Sequence, residues 1–135
     1  MIQRRLVDTN LIVRHLVQDH ERHAKLAGKL FAASDRGEVS LVVLPVVLAE
    51  CVFVLESFYK RPRAEIAQAL KSLVGSPGVE VDDLPIHLDA LTRYGRTQLH
   101  IVDCMIAATA AAQGLHVATF DQDFKKFQDV TIDVD

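Results

Sequence analysis

Four carboxylates interrupt the apolar parts of this chain. Asp8 follows Leu6-Val7, and Glu50 splits Val46-Val47-Leu48-Ala49 from Val52-Phe53-Val54-Leu55. Asp103 stands between Ile101-Val102 and Met105-Ile106-Ala107-Ala108, and Asp121 follows Val117-Ala118-Thr119-Phe120. A carboxylate at the edge of a core is costly to desolvate unless something pairs with it. No matching set of basic residues accompanies these four, so a divalent cation is the simplest common partner. Hard cations such as Mg2+ or Mn2+ take oxygen ligands. A nest of carboxylates around one or two of them suits phosphodiester hydrolysis, in which a bound water is activated and the leaving oxygen stabilised.

Each acid also has a structural explanation. Asp8 and Asp103 can cap helices, and Asp121 and Asp123, flanking Gln122, can form a turn and cap before Phe124. Glu50 fits such an explanation least. It falls within the second turn of a helix whose other residues are almost all apolar, and the helix dipole there is worth under about 1 kcal/mol at an exposed site.

The elements that must carry these acids alternate in type. Residues 4–7 read as a strand, and Asp8-Thr9-Asn10 are three N-cap residues in a row, so a helix is expected from about Leu11. Asp19 to His23 is a polar bend, and Ala24 to Ser34 a second helix stopped by Asp35-Arg36-Gly37. Val39 to Leu44 reads as a strand inside a parallel sheet. Pro45 suits the first turn of a helix reaching about Tyr59, apolar nearly all round and therefore expected to be buried on most sides. After the basic turn Lys60-Arg61-Pro62-Arg63 come an amphipathic helix (Ala64 to Val74), the loop Gly75-Ser76-Pro77-Gly78, a short strand (Val79 to Val81) and a helix (Pro85 to Tyr94) with Leu88 and Leu91 inward. An Ala-rich helix spans Val102 to Gln113 and ends at Gly114. Leu115 to Phe120 is a fourth strand, Phe124 to Phe127 a helical turn, and Val130 to Val134 a fifth strand. The alternation predicts a three-layer α/β/α fold with a central parallel sheet of four to five strands and right-handed crossovers, as one domain over residues 1–135. Ligands of such sheets bind beyond the C-terminal ends of the strands, where Asp8 and Asp121 lie. Glu50 and Asp103, near helix starts, can reach the same edge.

Half of the 135 residues are hydrophobic, enough for a core without disulfides or structural zinc and too many for disorder. The longest apolar run, Leu41 to Leu55, is broken by Pro45 and Glu50 and too short to span a bilayer, and no signal peptide is apparent. Cys51 and Cys104 sit in apolar stretches without zinc or redox spacing, as reduced, buried residues of a cytoplasmic protein would. The net charge of −3 does not exclude a nucleic acid, because setting the four acids aside leaves 14 acids against 15 bases.

Val7-Asp8-Thr9-Asn10, Ala49-Glu50, Val102-Asp103-Cys104-Met105-Ile106-Ala107-Ala108 and Thr119-Phe120-Asp121-Gln122-Asp123-Phe124 together resemble a PIN domain, in order and spacing over almost the whole chain. The nearest likeness is to the short prokaryotic kind that includes the VapC toxins of type II toxin–antitoxin pairs. The resemblance implies a Mg2+- or Mn2+-dependent endoribonuclease with Asp8, Glu50, Asp103 and Asp121 as catalytic and metal-binding positions. Thr9 and Asn10 fall beside the first acid, Thr119 on a hydroxyl position supporting the last, and Asp123 on a secondary position acting through water. It also implies an RNA substrate, a homodimer and a cognate antitoxin whose tail blocks the groove.

Arg14, Lys60, Arg61, Arg63, Arg93 and Arg96 are candidates for a phosphate track, although a solvated surface explains any one of them. Tyr59 and Tyr94 are candidates for base stacking; the scarcity of aromatics argues against a broad stacking platform. His20 and His23 are expected to be exposed, and His116, inside a strand, to be a satisfied structural histidine. His87 and His100 are unforced, and no histidine forms a zinc pattern. Three functions compete: a toxin ribonuclease, a nuclease of the same kind in RNA processing or DNA repair, and a non-nuclease α/β binding domain. A receiver domain would need an acid pair after an early strand and a late lysine; a haloacid-dehalogenase-type phosphatase would need a second acid in place of Asn10. Neither pattern is present.

Overall fold

The computed structural model describes residues 2–133. Strand β1 (Gln3–Leu6) leads into helix α1 (Thr9–Val17), and α2 (Glu21–Asp35) returns the chain to β2 (Val39–Val42). Helices α3 (Pro45–Ser57) and α4 (Arg63–Val74) precede β3 (Val79–Glu80). Helices α5 (Leu84–Arg96) and α6 (Ile101–Gln113) then lead to β4 (Val117–Ala118), a short 3-10 helix (Gln122–Lys126) and β5 (Ile132–Asp133). Every element expected from the sequence is present. Helix α1 begins two residues early because Asp8, rather than Asn10, caps it. Helix α2 begins at Glu21 because His20 Nδ1 accepts the His23 amide at 3.1 Å and caps it. Of the expected fifth strand, Val134 lies outside the described residues.

All strand pairs are parallel, in a three-layer α/β/α fold. The hydrogen bonding divides the strands: β1-β2-β3 form one sheet with β2 central, and β4-β5 form another. Strand β2 points Val39 and Leu41 into the main core, where they meet Ile12 of α1, Leu48 and Val52 of α3, Leu70 of α4 and Leu91 of α5. A second, small core joins Ala107 and Ala110 of α6 to Val117 of β4 and Phe124. Helix α6 serves both cores, with Ile101, Cys104 and Ala108 turned toward the main one. Its alanines let flanking elements approach closely, and Gly114, at φ 67°, supplies the left-handed residue that ends it. At Gly78 a Cβ would lie 2.1 Å from the Ser34 carbonyl oxygen, so the loop before β3 passes directly against the end of α2.

Helix α3 corrects one expectation. Leu48, Cys51, Val52 and Leu55 are buried, but Val46 and Phe53 are 71% and 65% exposed, and Phe58 just beyond the helix is 75% exposed. An apolar helix need not be buried all round, and here one stripe faces outward.

Candidate active site

Asp8 is held by the start of α1. Its backbone is extended, and Oδ1 accepts the Leu11 amide at 2.9 Å, one of the donors a helix start leaves unpaired. Oδ2 makes no hydrogen bond among the described residues, so the residue is both a cap and a free ligand. Glu50 projects from α3 into the same open cavity of about 480 Å³, lined also by Thr9, Asn10, Val13, Val47, Val54, Phe58 and Tyr59. Cys51, buried beneath, has its thiol pushed up to about 12 by burial first and then by the charges of Glu50 and Asp8.

Asp103 projects from the first turn of α6 into a second open cavity of about 530 Å³, shared with Asp121, Thr119 and the apolar side chains Val102, Met105, Ile106 and Val117. Asp121 is fixed by short loops of hydrogen bonds. Its amide donates to Thr119 Oγ1 at 2.9 Å, and its Oδ1 accepts the Asp123 amide at 2.9 Å. Burial, and next the charge of Asp121, hold the Asp103 carboxyl above its ordinary range, with Asp123 adding to the effect and His100 opposing it.

The structure therefore brings the acids together in pairs, Asp8 with Glu50 and Asp103 with Asp121, and does not bring all four to one spot. Among the described residues no three of His, Cys, Asp and Glu stand close enough to hold one metal ion. The physical reason is the divided sheet: β4 does not lie on β1, so the two C-terminal strand ends are apart. The desolvation premise also needs correction. Asp8, Glu50 and Asp121 are exposed and only Asp103 is half-buried, so Glu50 sits on the outward stripe of α3 rather than in the core. What does hold is the lack of basic partners. None of the four enters an ion pair among the described residues, whereas Asp19, Glu56, Asp89 and Asp129 all do. Oxygen-only donors without competing cations fit a hard divalent ion.

The candidate RNA contacts divide in the same way. Lys60, Arg61 and Arg96 are exposed, Arg61 with Glu65 at 3.3 Å. Arg63 is a correction. Its guanidinium stacks 3.8 Å from the Tyr94 ring centroid, pairs with Glu56 at 3.1 Å and donates to the Tyr94 and Leu99 carbonyls, so it ties α4 to α5 and is spent on the fold. Tyr94 is buried and bonds Glu56, which removes it as a stacking residue. Arg93 is likewise occupied by Asp89 and Asp129. Arg14 lines a recess beside Asp8 and Asn10, held by Asp19 at 2.9 Å while its Nε has no partner. Asp19, which also accepts the Tyr59 hydroxyl at 2.8 Å, is a residue the sequence did not mark. Its role depends on a contact between positions 40 residues apart, which no local pattern reveals. His20 and His23 are exposed and stacked on each other at 3.7 Å. His116 is exposed and pairs with Asp133 at 2.7 Å, so it is a surface residue and not the enclosed one expected. His87 is buried.

No helix among the described residues is long and apolar enough to cross a membrane. A family model for the PIN domain matches residues 5–130. A curated relative from Aquifex aeolicus (strain VF5), named VapC ribonuclease, is 27% identical over 123 residues, covering 90% of each chain.

Proposed function

Since the chain belongs to the PIN domain family, with a match over residues 5–130, we propose that it is a metal-dependent endoribonuclease, the toxin of a toxin–antitoxin pair. The observation that carries this reading is the four carboxylates, two to a cavity, that no basic side chain neutralises among the described residues. The similarity to a protein named VapC ribonuclease supports the choice of RNA and of the toxin role.

Asp8, Glu50, Asp103 and Asp121 are the residues that hold Mg2+ or Mn2+. A bound ion of this kind supplies a more acidic water and charge stabilisation at the leaving oxygen. The chain's own part is orientation. Asp8 is locked by its capping bond, and Thr119 and the Asp123 amide set the Asp121 loop. Thr9 and Asn10 line the wall beside Asp8. Asp123 contributes charge near Asp103 and reaches the ion through water. Arg14 is the nearest candidate for a phosphate next to the cleaved one, with Lys60, Arg61 and Arg96 as outer attractors of the RNA backbone.

In this reading the protein is one domain over residues 1–135, acts in the cytoplasm without a membrane, and works as a homodimer. The outward apolar stripe of Val46, Phe53 and Phe58 beside the first cavity suits a cognate antitoxin whose tail covers Glu50. A nuclease in RNA processing would use the same chemistry and differ only in its partner. The direct test is cleavage of single-stranded and structured RNA by the purified protein with Mg2+, with Mn2+, and with EDTA. Equal cleavage in EDTA would remove the metal from the mechanism, and no cleavage under any condition would remove the nuclease.

A further inference from the structure

Two strand edges are left open. Strand β1 pairs only with β2, and β4 pairs only with β5, all in the parallel sense. An unpaired edge offers a row of backbone donors and acceptors to any other strand. The edge of β1 is also apolar where it nears the site: Leu6, two residues before Asp8, is 70% exposed. Facing outward elsewhere is the groove between α6 and β4, whose walls are Val102, Met105, Ile106 and Val117 and whose rim holds Asp103 and Asp121. Charge matches shape. Strand β1 carries Arg4 and Arg5 and no acid, and the Arg5 guanidinium bonds only Gln3 among the described residues.

We propose that two copies of this chain exchange edges, β1 of one copy lying along β4 of the other in the α6–β4 groove. Each active centre then takes Asp8 and Glu50 from one subunit and Asp103 and Asp121 from its partner. This rests on the reading of the four acids as one metal centre. The partner has to be a second copy because the gap within one chain is built in by packing. Ile101, Cys104 and Ala108 fix α6 in the main core, while Ala107 and Ala110 fix Val117 and Phe124 against its other side. Closing β4 onto its own β1 would pull one of these contacts apart, whereas a second copy fills the groove with neither disturbed. Pairing of the two edges produces a five-stranded parallel sheet and sets the C-terminal ends of β1 and β4 side by side. The chain alone then holds two half-sites, and assembly switches the enzyme on.

The test is complementation. Asp8→Asn protein and Asp121→Asn protein, each inactive alone, are unfolded together and refolded as a mixture. Exchange yields mixed dimers in which one of two centres is intact, so about a quarter of wild-type cleavage returns at random mixing. No recovery, with the wild type active, overturns the exchange. An inactive wild type would instead overturn the nuclease reading, and a second measurement then decides the exchange by itself. Leu6→Cys and Ala118→Cys are made separately and mixed under mild oxidation; Cys51 and Cys104 are buried and do not compete. A disulfide-linked dimer containing one of each supports the proposal. Absence of that dimer, or a monomer-sized internal cross-link in the double variant at low concentration, shows closure within one chain and overturns it.

Discussion

The two carboxylate pairs stand on unequal foundations. Asp8 and Glu50 rise from α1 and α3, which share the large core around Leu41, Leu48 and Leu70. Asp103 and Asp121 sit where α6 meets a unit whose buried core is Ala107, Ala110, Val117 and Phe124. The first pair is exposed, and its Asp8 is useful to the fold as a helix cap. The second pair includes a half-buried acid that burial and a like charge disfavour in its ionised form. One pair is therefore compatible with stability, while the other is held against it. Residues that burden the fold in this way are the more telling mark of chemistry.

The largest expected effects are on cleavage. Asp8→Asn and Asp103→Asn should each reduce it by about 10²-fold or more, since each removes a charge needed at the reacting phosphate. Stability should separate the two. Asparagine caps a helix as well as aspartate, so Asp8→Asn should leave the melting temperature of the metal-free protein unchanged. The Asp103 carboxyl has a raised pKa in the folded state, so above that pKa its ionisation costs stability. Asp103→Asn should therefore melt higher at pH 7 without metal. Undiminished cleavage by either purified variant, or a lower melting temperature for Asp103→Asn, would count against this division of roles.

Core truncation should separate the regions next. Phe124→Ala removes the largest side chain of the small core, a change that costs about 3–5 kcal/mol in a well-packed site. The loss should be local: amide exchange should accelerate over residues 115–133 and stay slow in β2 and α3. Leu70→Ala should instead lower protection across the main body. Uniform acceleration in both variants would show that the two cores unfold as one. Metal should act more weakly. At a hundredfold excess over Kd, Mg2+ or Mn2+ adds about 2.7 kcal/mol to the native state, a rise of a few degrees in melting temperature. Both Asp8→Asn and Asp121→Asn should reduce that rise, which calorimetry would read; a full rise in either would free that pair from the metal.

Much of this was legible in the sequence, because strand and helix periods, Pro45 at a helix start and Gly114 at a helix end are local signals. The parallel alternation carried the fold class, and the acids stood out by type and place. Less legible was anything fixed at a distance. Arg63 looked like part of a basic turn, yet Tyr94, Glu56 and the Leu99 carbonyl claim it, and those partners come from other elements. The outward stripe of α3 was hidden because apolar residues on every side of a helix do not say which side is covered. The division of the sheet was invisible for the same reason, since strand order is a long-range property of packing.

Acid sensitivity is the smallest expected effect, and it should belong to the main body. His87 on α5 is buried with Nδ1 unpartnered, and His15 on α1 stacks on Phe31 at 4.4 Å; burial lowers the pKa of both. A histidine with a lowered folded-state pKa leaves the proton to the unfolded chain first. The stability it allows is complete above the ordinary value of about 6.5 and falls as pH drops from there toward the lowered value. The urea midpoint of the wild type should accordingly be lower at pH 5.5 than at pH 7.5. His87→Gln, which cannot take up a proton, should show a smaller difference between the two pH values, whatever its absolute stability. His116→Gln, on the exposed His116–Asp133 pair of the small unit, should leave the difference as it is. If His116→Gln flattened the dependence and His87→Gln did not, the β4–β5 unit would be the acid-labile region, and the contrast drawn between the two cores would reverse.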